Sequence, residues 1–181
     1  LADPPTTPTT MTTLLNALGN IAAIPRFFVW RLTNWNGYKF DDKTPWNGSQ
    51  KFDAKAACLA GTLHTYDSAM QLLQACRAVQ PADVRYSLGW YVMPDAGYWF
   101  LDIDGGTDTA EARHAWAALG PAGVFFEYSS SGNGLHFVGR GALPPHATRP
   151  VPGVVELYSR ERGICFGLSG EAYGCADTHA M

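Results

Sequence analysis

The chain has 181 residues, of which 46% are hydrophobic and 16% are charged, and its formal net charge at pH 7 is −3. This composition is typical of a soluble globular domain with one hydrophobic core, or with two small lobes that share one. Apolar runs stay well short of the roughly 18–20 residues that a membrane-spanning helix needs, and the negative charge argues against strong non-specific binding to nucleic acid by charge alone. We therefore expect no membrane partner.

The first half of the chain predicts a helix, a β-hairpin and a second helix. Residues 1–11 are rich in Pro and Thr and lack an initiator Met, which indicates a disordered leader or a vector-derived remnant. Turn-forming residues at 34–37 separate two strand-like segments. In chain order, the predicted elements are a helix capped by Thr12 or Thr13 and ended by Pro25, strands over residues 26–32 and 38–45, and a helix over residues 66–79.

The second half is dominated by strands. A Pro-rich connector covers residues 143–152, and the residues after 170 show little pattern, so that residues 171–181 are expected to lead into a further C-terminal region. The predicted elements are strands over 88–93 and 98–103, a helix over 109–119, and strands over 124–128, 135–138, 154–158 and 164–168. The chain is therefore predicted to be a mixed α/β or α+β protein.

The cysteines give no sign of a structural metal. Cys58, Cys76, Cys165 and Cys175 form no C-x-x-C pair and have no histidine at zinc-finger spacing. We expect free thiols, no structural zinc and a cytoplasmic location.

The segment 98–104 ends a buried strand on two carboxylates. Because side chains alternate along a strand, Asp102 and Asp104 point to the same face, just before Gly105 and Gly106 turn the chain. Two such carboxylates repel each other unless a cation lies between them, and hard oxygen ligands suit Mg²⁺ or Mn²⁺. The motif alone is equally compatible with a solvated acidic turn.

A Ser/Gly loop at residues 129–134 leads into the next strand and to His136. Small residues let the backbone approach an anion, and successive N–H groups can bind a phosphate. His136 lies on the face opposite Leu135 and Phe137 and can donate to a phosphate oxygen. A glycine-rich hairpin followed by a histidine packed in the core explains the same residues.

A lone carboxylate, Glu156, interrupts the apolar strand at 154–158. A carboxylate in such a strand requires a partner, which a metal held by Asp102 and Asp104 would provide. Solvent exposure or pairing with an arginine is the alternative. Arg160 and Arg162 follow directly and can reach phosphates or a template strand.

In this order the motifs D-x-D, S-x-G-x-G-x-H and a strand carboxylate followed by arginines resemble the archaeo-eukaryotic primase superfamily. The chain is most similar to the bifunctional primase–polymerase domains of phages, plasmids and mobile elements, over about residues 26–170. Further matching segments are KTPWN at 43–47, TYDSA at 65–69, LGWYV at 88–92 and GRGALP at 139–144. The segment 162–170 departs from the family, being longer than its usual arginine-aromatic strand, and leaves both Arg160 and Arg162 as candidates.

The resemblance implies a catalytic domain at residues 12–170, with two lobes, one of them like an RNA-recognition fold, and a mixed sheet. Such domains join nucleotides on a DNA template by attack of a 3′-hydroxyl on the α-phosphate of a nucleoside triphosphate, with two Mg²⁺ or Mn²⁺ ions. It implies single-stranded or primed DNA and nucleoside triphosphates as partners, a helicase or helical C-terminal domain in the full-length protein, and a bacterial or archaeal host cell.

The resemblance also assigns roles to individual residues. Asp102, Asp104 and Glu156 would be catalytic and hold the two ions. The remaining candidates would bind the nucleotide: Ser129, Ser131, Gly132, Gly134, His136, Lys43, Arg160 and Arg162.

Two other functions fit part of the sequence. A non-catalytic module that binds single-stranded nucleic acid would use the aromatic residues, 13% of the chain, to stack bases. A metal-dependent nuclease or replication-initiation endonuclease would use the carboxylates, although the latter usually needs paired histidines and a nucleophilic tyrosine, and the five histidines here form no close pair.

Overall fold

The computed structural model describes residues 14–94, 97–120 and 124–167. The predicted leader, the Thr12 or Thr13 cap, part of the turn at 94–97 and residues 168–181 lie outside them. The helices are α1 (Leu14–Leu18), followed by a 3₁₀ turn (Gly19–Ala23), α2 (Ala54–Leu59), α3 (Tyr66–Ala78) and α4 (Ala110–Leu119). The strands are β1 (Phe27–Trp35), β2 (Phe40–Trp46), β3 (Arg85–Val92), β4 (Tyr98–Ile103), β5 (Phe125–Tyr128), β6 (Leu135–Arg140), β7 (Val155–Tyr158) and β8 (Arg162–Cys165).

The first sheet, sheet A, has the strand order β2-β1-β3-β8. It is built on the predicted hairpin β1–β2, in which Leu32 lies opposite Lys43. Turn chemistry closes this hairpin: the Asn36 side-chain oxygen accepts the backbone N–H groups of Tyr38 and Lys39 at 2.9 Å each. The hairpin predicted from the asparagine-glycine turn is therefore confirmed.

The second sheet, sheet B, has the order β5-β6-β4-β7. In the unit β4–α4–β5 the two strands are not adjacent. β6 lies between them and pairs with both. This arrangement is a split βαβ unit. All pairings between named strands in the described part of the chain are antiparallel. The α+β class is confirmed, whereas the expected mixed sheet is wrong, because in a split unit the two parallel strands are not neighbours.

The faces of sheet B have different surroundings. One face packs against α4, where Trp116 meets Phe126 edge-on with ring centroids 4.4 Å apart. The other face joins sheet A and α3 in the main core, through Phe100, Val138 and Trp90 among others. On this second face, the residues outside the main core lie next to the candidate site.

The helix α2 is absent from the sequence-based prediction. It has only six residues, and the Asp53 side chain caps its first turn by accepting the Ala56 N–H at 3.0 Å. So short a helix offers too little periodicity to detect. It places Asp53, Ala54 and Lys55 at the border of the candidate site.

In the described part of the chain, no helix combines the length and the apolar character needed to cross a bilayer.

Candidate active site

Four titratable side chains form one row across sheet B. Glu127 pairs with His136, His136 with Asp102, and Asp102 with Glu156, on strands β5, β6, β4 and β7. Residues directly opposite each other in an antiparallel pair share a face. The next row on the same face is apolar and belongs to the main core: Phe125, Val138, Phe100 and Tyr158. The sheet thus holds a line of charges at the edge of a hydrophobic core.

This row borders a cavity of about 560 Å³ between the two sheets. Sheet B contributes Asp102, His136 and Glu156 to its lining. Sheet A contributes Lys43 and Arg162 together with aromatic surface. The volume is in the range of small-molecule sites. The lining residues place carboxylates on one wall of the cavity and cations on the other.

His136 lies between two carboxylates. Its Nδ1 is 2.8 Å from Glu127 Oε1, and its Nε2 is 3.4 Å from Asp102 Oδ1, too poorly placed for a hydrogen bond. The side chains of His136 and Glu127 are 6% and 1% exposed, whereas that of Asp102 is 23% exposed. The row is therefore most buried at Glu127 and more open at Asp102 and Glu156.

The electrostatics follow from this burial gradient. Burial favours neutral His136, but Asp102 and Glu127 outweigh it and raise the pKa of the imidazole to about 9. Burial would raise the pKa of Asp102, yet His136, Lys43 and Arg162 lower it. For Glu127, burial wins over His136 and its pKa is raised. At neutral pH Asp102 is thus held ionised at the cavity wall.

Glu156 has partners for both oxygens. Arg149 Nε lies 2.8 Å from Oε1, and the Tyr158 hydroxyl donates to Oε2. Burial, followed by this hydrogen bond, raises the pKa of Tyr158 to about 12. The sequence left solvent exposure or pairing with an arginine as alternatives to a metal partner for Glu156, and the structure shows pairing with an arginine. Arg149 is 65% exposed and comes from the Pro-rich connector, so Glu156 can exchange it for another cation at little cost.

Asp104 follows β4 directly and is exposed. Its backbone N–H donates to Val154 O at 2.7 Å, which ties it to the segment before β7. Burial, and then repulsion by Asp102 and Glu156, raises the pKa of Asp104. The carboxylates of Asp102 and Glu156 are therefore close enough to Asp104 to repel it electrostatically.

The three candidate cations, Lys43, Arg160 and Arg162, differ in whether they line the cavity. Arg162 lines the cavity, with its guanidinium 5.0 Å from the centre of the Tyr158 ring, and Lys43 faces it from β2. Arg160 is exposed in the turn before β8, outside the cavity lining. The structure therefore singles out Arg162 rather than Arg160 as the arginine near Asp102.

The Ser/Gly loop closes the β5–β6 hairpin beside the cavity rather than in its lining. The Ser129 N–H donates to Gly134 O at 2.9 Å, and the Ser129 and Ser131 hydroxyls are 3.0 Å apart. Gly132 has a φ of +76°, which favours glycine, and a Cβ on Gly134 would lie 2.7 Å from the carbonyl oxygen of Ile103. The loop is thus built for glycine, but only His136 of this motif reaches the cavity.

A preformed metal cluster is not present. Within the described ranges, no three His, Cys, Asp or Glu side chains come together as metal ligands. One observation nevertheless fits a cation: Asp102 Oδ1 is buried without a hydrogen bond. Carboxylate oxygens of Asp102, Asp104 and Glu156 are the donor type that Mg²⁺ and Mn²⁺ prefer. The residues fit these ions, and their present partners, His136 and Arg149, are cations.

The sequence reasoning missed Glu127 and Arg149. Glu127 lies inside the aromatic run at 125–128, and the argument that identifies Glu156, a carboxylate inside an apolar strand, applies to it equally. Arg149 lies in an irregular connector, and no local signal in the sequence shows that it pairs with Glu156.

Comparison with known proteins adds no identification, since neither the protein-family models nor the curated proteins contain a match to this chain.

Proposed function

We propose that the chain is the catalytic domain of a primase–polymerase, a nucleotidyltransferase that copies a DNA template in the replication of a phage, plasmid or other mobile element. The observation that carries the proposal is the cavity with Asp102 and Glu156 on one wall, and Lys43 and Arg162 on the other. A nucleoside triphosphate with divalent cations has the complementary charges. The split βαβ order of sheet B supports an RNA-recognition-like lobe.

In the proposed reaction, the 3′-hydroxyl oxygen of a primer loses its proton to solvent water and bonds to the α-phosphorus of the triphosphate. The bond from that phosphorus to the bridging oxygen breaks, and pyrophosphate leaves. Asp102, Asp104 and Glu156 would hold two Mg²⁺ or Mn²⁺ ions, which activate the hydroxyl and neutralise developing charge when bound.

The other residues of the cavity act on the triphosphate itself. Lys43 and Arg162 would neutralise its negative charge. His136, turned by Glu127 so that Nε2 faces the cavity, would donate to a phosphate oxygen. The Ser/Gly loop at 129–134 would approach the outer phosphates beside the cavity, through Ser129, Ser131, Gly132 and Gly134.

The test is incubation with a labelled primer–template, nucleotides and Mg²⁺ or Mn²⁺. We expect extension by the wild-type chain, and none by Asp102→Asn or Glu156→Gln. Asp83→Asn, an exposed carboxylate before β3, is the matched control and should extend normally. Shortening of the primer would indicate a nuclease, and binding of single-stranded DNA without either product would indicate a binding module; both results contradict the proposal.

A further inference from the structure

We propose that Glu127 is a positioning residue, which holds His136 so that its Nε2 faces the cavity. The geometry rests on the row across sheet B, where Glu127 is the neighbour of His136 on the side away from Asp102. The inference builds on the proposed function, in which His136 meets a triphosphate oxygen.

Glu127 is itself anchored. Its Oε1 accepts the Gly167 N–H at 2.6 Å as well as facing His136 Nδ1 at 2.8 Å. A Cβ on Gly167 would lie 2.6 Å from the carbonyl oxygen of Tyr128, so only glycine brings its N–H this close to β5. The Ser87 hydroxyl of β3 lies 2.7 Å from the carbonyl oxygen of Phe166 and 2.6 Å from that of Gly167, and its one proton is shared between them. The carboxylate is therefore fixed from the central strand of sheet A.

This anchoring determines the orientation of the imidazole. Because Oε1 is an acceptor for Gly167, it also acts as an acceptor toward His136, and Nδ1 is the donor. The Phe100 ring packs on the imidazole with centroids 4.9 Å apart. With Nδ1 held and one face covered, Nε2 is left to face Asp102 and the cavity.

Packing alone does not account for a carboxylate at this position. Glu127 is almost fully buried, and its Oε2 has no hydrogen-bond partner. Such an oxygen costs free energy that an apolar side chain of similar size would avoid. The carboxylate makes two contacts that a leucine would not, with the Gly167 N–H and with His136 Nδ1. Of these two partners, His136 is the one that lines the cavity.

The first arm of the test reads the imidazole directly, with ¹⁵N–¹H NMR of the wild-type chain free of metal and nucleotide. We expect an Nδ1–H proton of His136 that is protected from exchange with solvent. The proton should persist in Glu127→Gln, whose amide oxygen still accepts, and disappear in Glu127→Leu. An unprotected Nδ1–H in the wild type, or an unchanged signal in Glu127→Leu, would overturn the inference. If Glu127→Leu does not fold, the wild-type and Glu127→Gln spectra still decide.

The second arm measures primer extension against nucleotide concentration. Partners that orient metal-ligating histidines are worth about 10- to 100-fold. We expect a similar fall in kcat/KM for this phosphate-binding histidine in Glu127→Leu, and a smaller one in Glu127→Gln. Glu111→Gln on α4, away from the cavity, is the matched control and should be unchanged. Wild-type kcat/KM in Glu127→Leu would overturn the inference. A wild-type chain that extends no primer contradicts the proposed function, and the NMR arm then decides the role of Glu127 separately.

Discussion

Raising the pH of a metal-free solution of this chain should destabilise the fold, because protonated His136 compensates two carboxylates in the row. The pKa of the imidazole is about 9 in the folded chain against an ordinary 6.5. A group whose pKa is raised by folding stabilises the fold fully below its unfolded pKa, and this contribution is lost as the pH rises through the folded value. The free energy of unfolding should therefore fall between about pH 6.5 and 9.

The size of the effect follows from the difference between the two pKa values. About 2.5 pH units at 1.36 kcal/mol each corresponds to at most about 3 to 4 kcal/mol. Urea denaturation followed by tryptophan fluorescence, in buffer with a chelator, measures the loss. In the unfolded chain cysteine thiols, with an ordinary pKa of about 8.5, titrate in the same window, so a comparison with a variant is needed to isolate His136.

The appropriate variant is Glu127→Gln with His136→Gln, because it removes the fully buried carboxylate together with its cation. Asp102 loses His136 in this variant, but it is partly exposed and keeps Lys43 and Arg162 as cations. We expect its stability to change with pH much less than that of the wild type. His114→Gln, on the exposed side of α4, is the matched histidine control and should behave as the wild type. A wild-type stability that is flat across the window, or an equal loss in the double variant, would refute the reasoning.

Three further predictions concern the cavity and the carboxylate of Asp104 that follows β4. Asp104→Asn should abolish primer extension yet leave urea stability within about 0.5 kcal/mol of the wild type or slightly above it, since the change relieves repulsion at an exposed site; a loss of folding together with activity would show a structural role instead. Arg162→Gln should raise the KM for nucleotide by about tenfold or more, as expected for one charge-assisted hydrogen bond to phosphate, whereas Arg160→Gln should not, and equal effects in the two variants would contradict the assignment. Burial raises the pKa of Cys165 to about 11. Alkylation of this thiol by iodoacetamide at about pH 8 should therefore be on the order of 100-fold slower in the native chain than in the denatured chain. Peptide-resolved mass spectrometry measures both rates, and similar rates would exclude the raised pKa.

Local patterns were sufficient for much of the fold. The hairpin β1–β2 follows from its turn residues, and α3 follows from its apolar spacing. The structure adds caps that the sequence analysis did not predict, at Thr65 for α3 and at Thr109 for α4. These features depend on residues close in sequence, for which backbone preferences act directly. The antiparallel character of both sheets depends on which strands meet, and the sequence alone does not determine this.

The candidate site also combines features that local sequence predicts with features that depend on tertiary contacts. Alternation along β4 predicts the shared face of Asp102 and Asp104, and the apolar context predicts that Glu156 needs a partner. Glu127 lies opposite His136 on the neighbouring strand, a pairing that depends on the register of the β5–β6 hairpin. Arg149 reaches Glu156 from an irregular connector, and no spacing rule in a single sequence gives that contact.

The most direct test of the central claim is a crystal structure with Mn²⁺ and a nucleoside triphosphate analogue whose α–β bridge cannot be cleaved. We predict anomalous manganese density at oxygen-ligand distance from Asp102, Asp104 and Glu156, with Arg149 displaced from Glu156 and His136 Nε2 within hydrogen-bond distance of a phosphate oxygen. Manganese bound away from these carboxylates, or a triphosphate bound outside the cavity between the two sheets, would contradict the account.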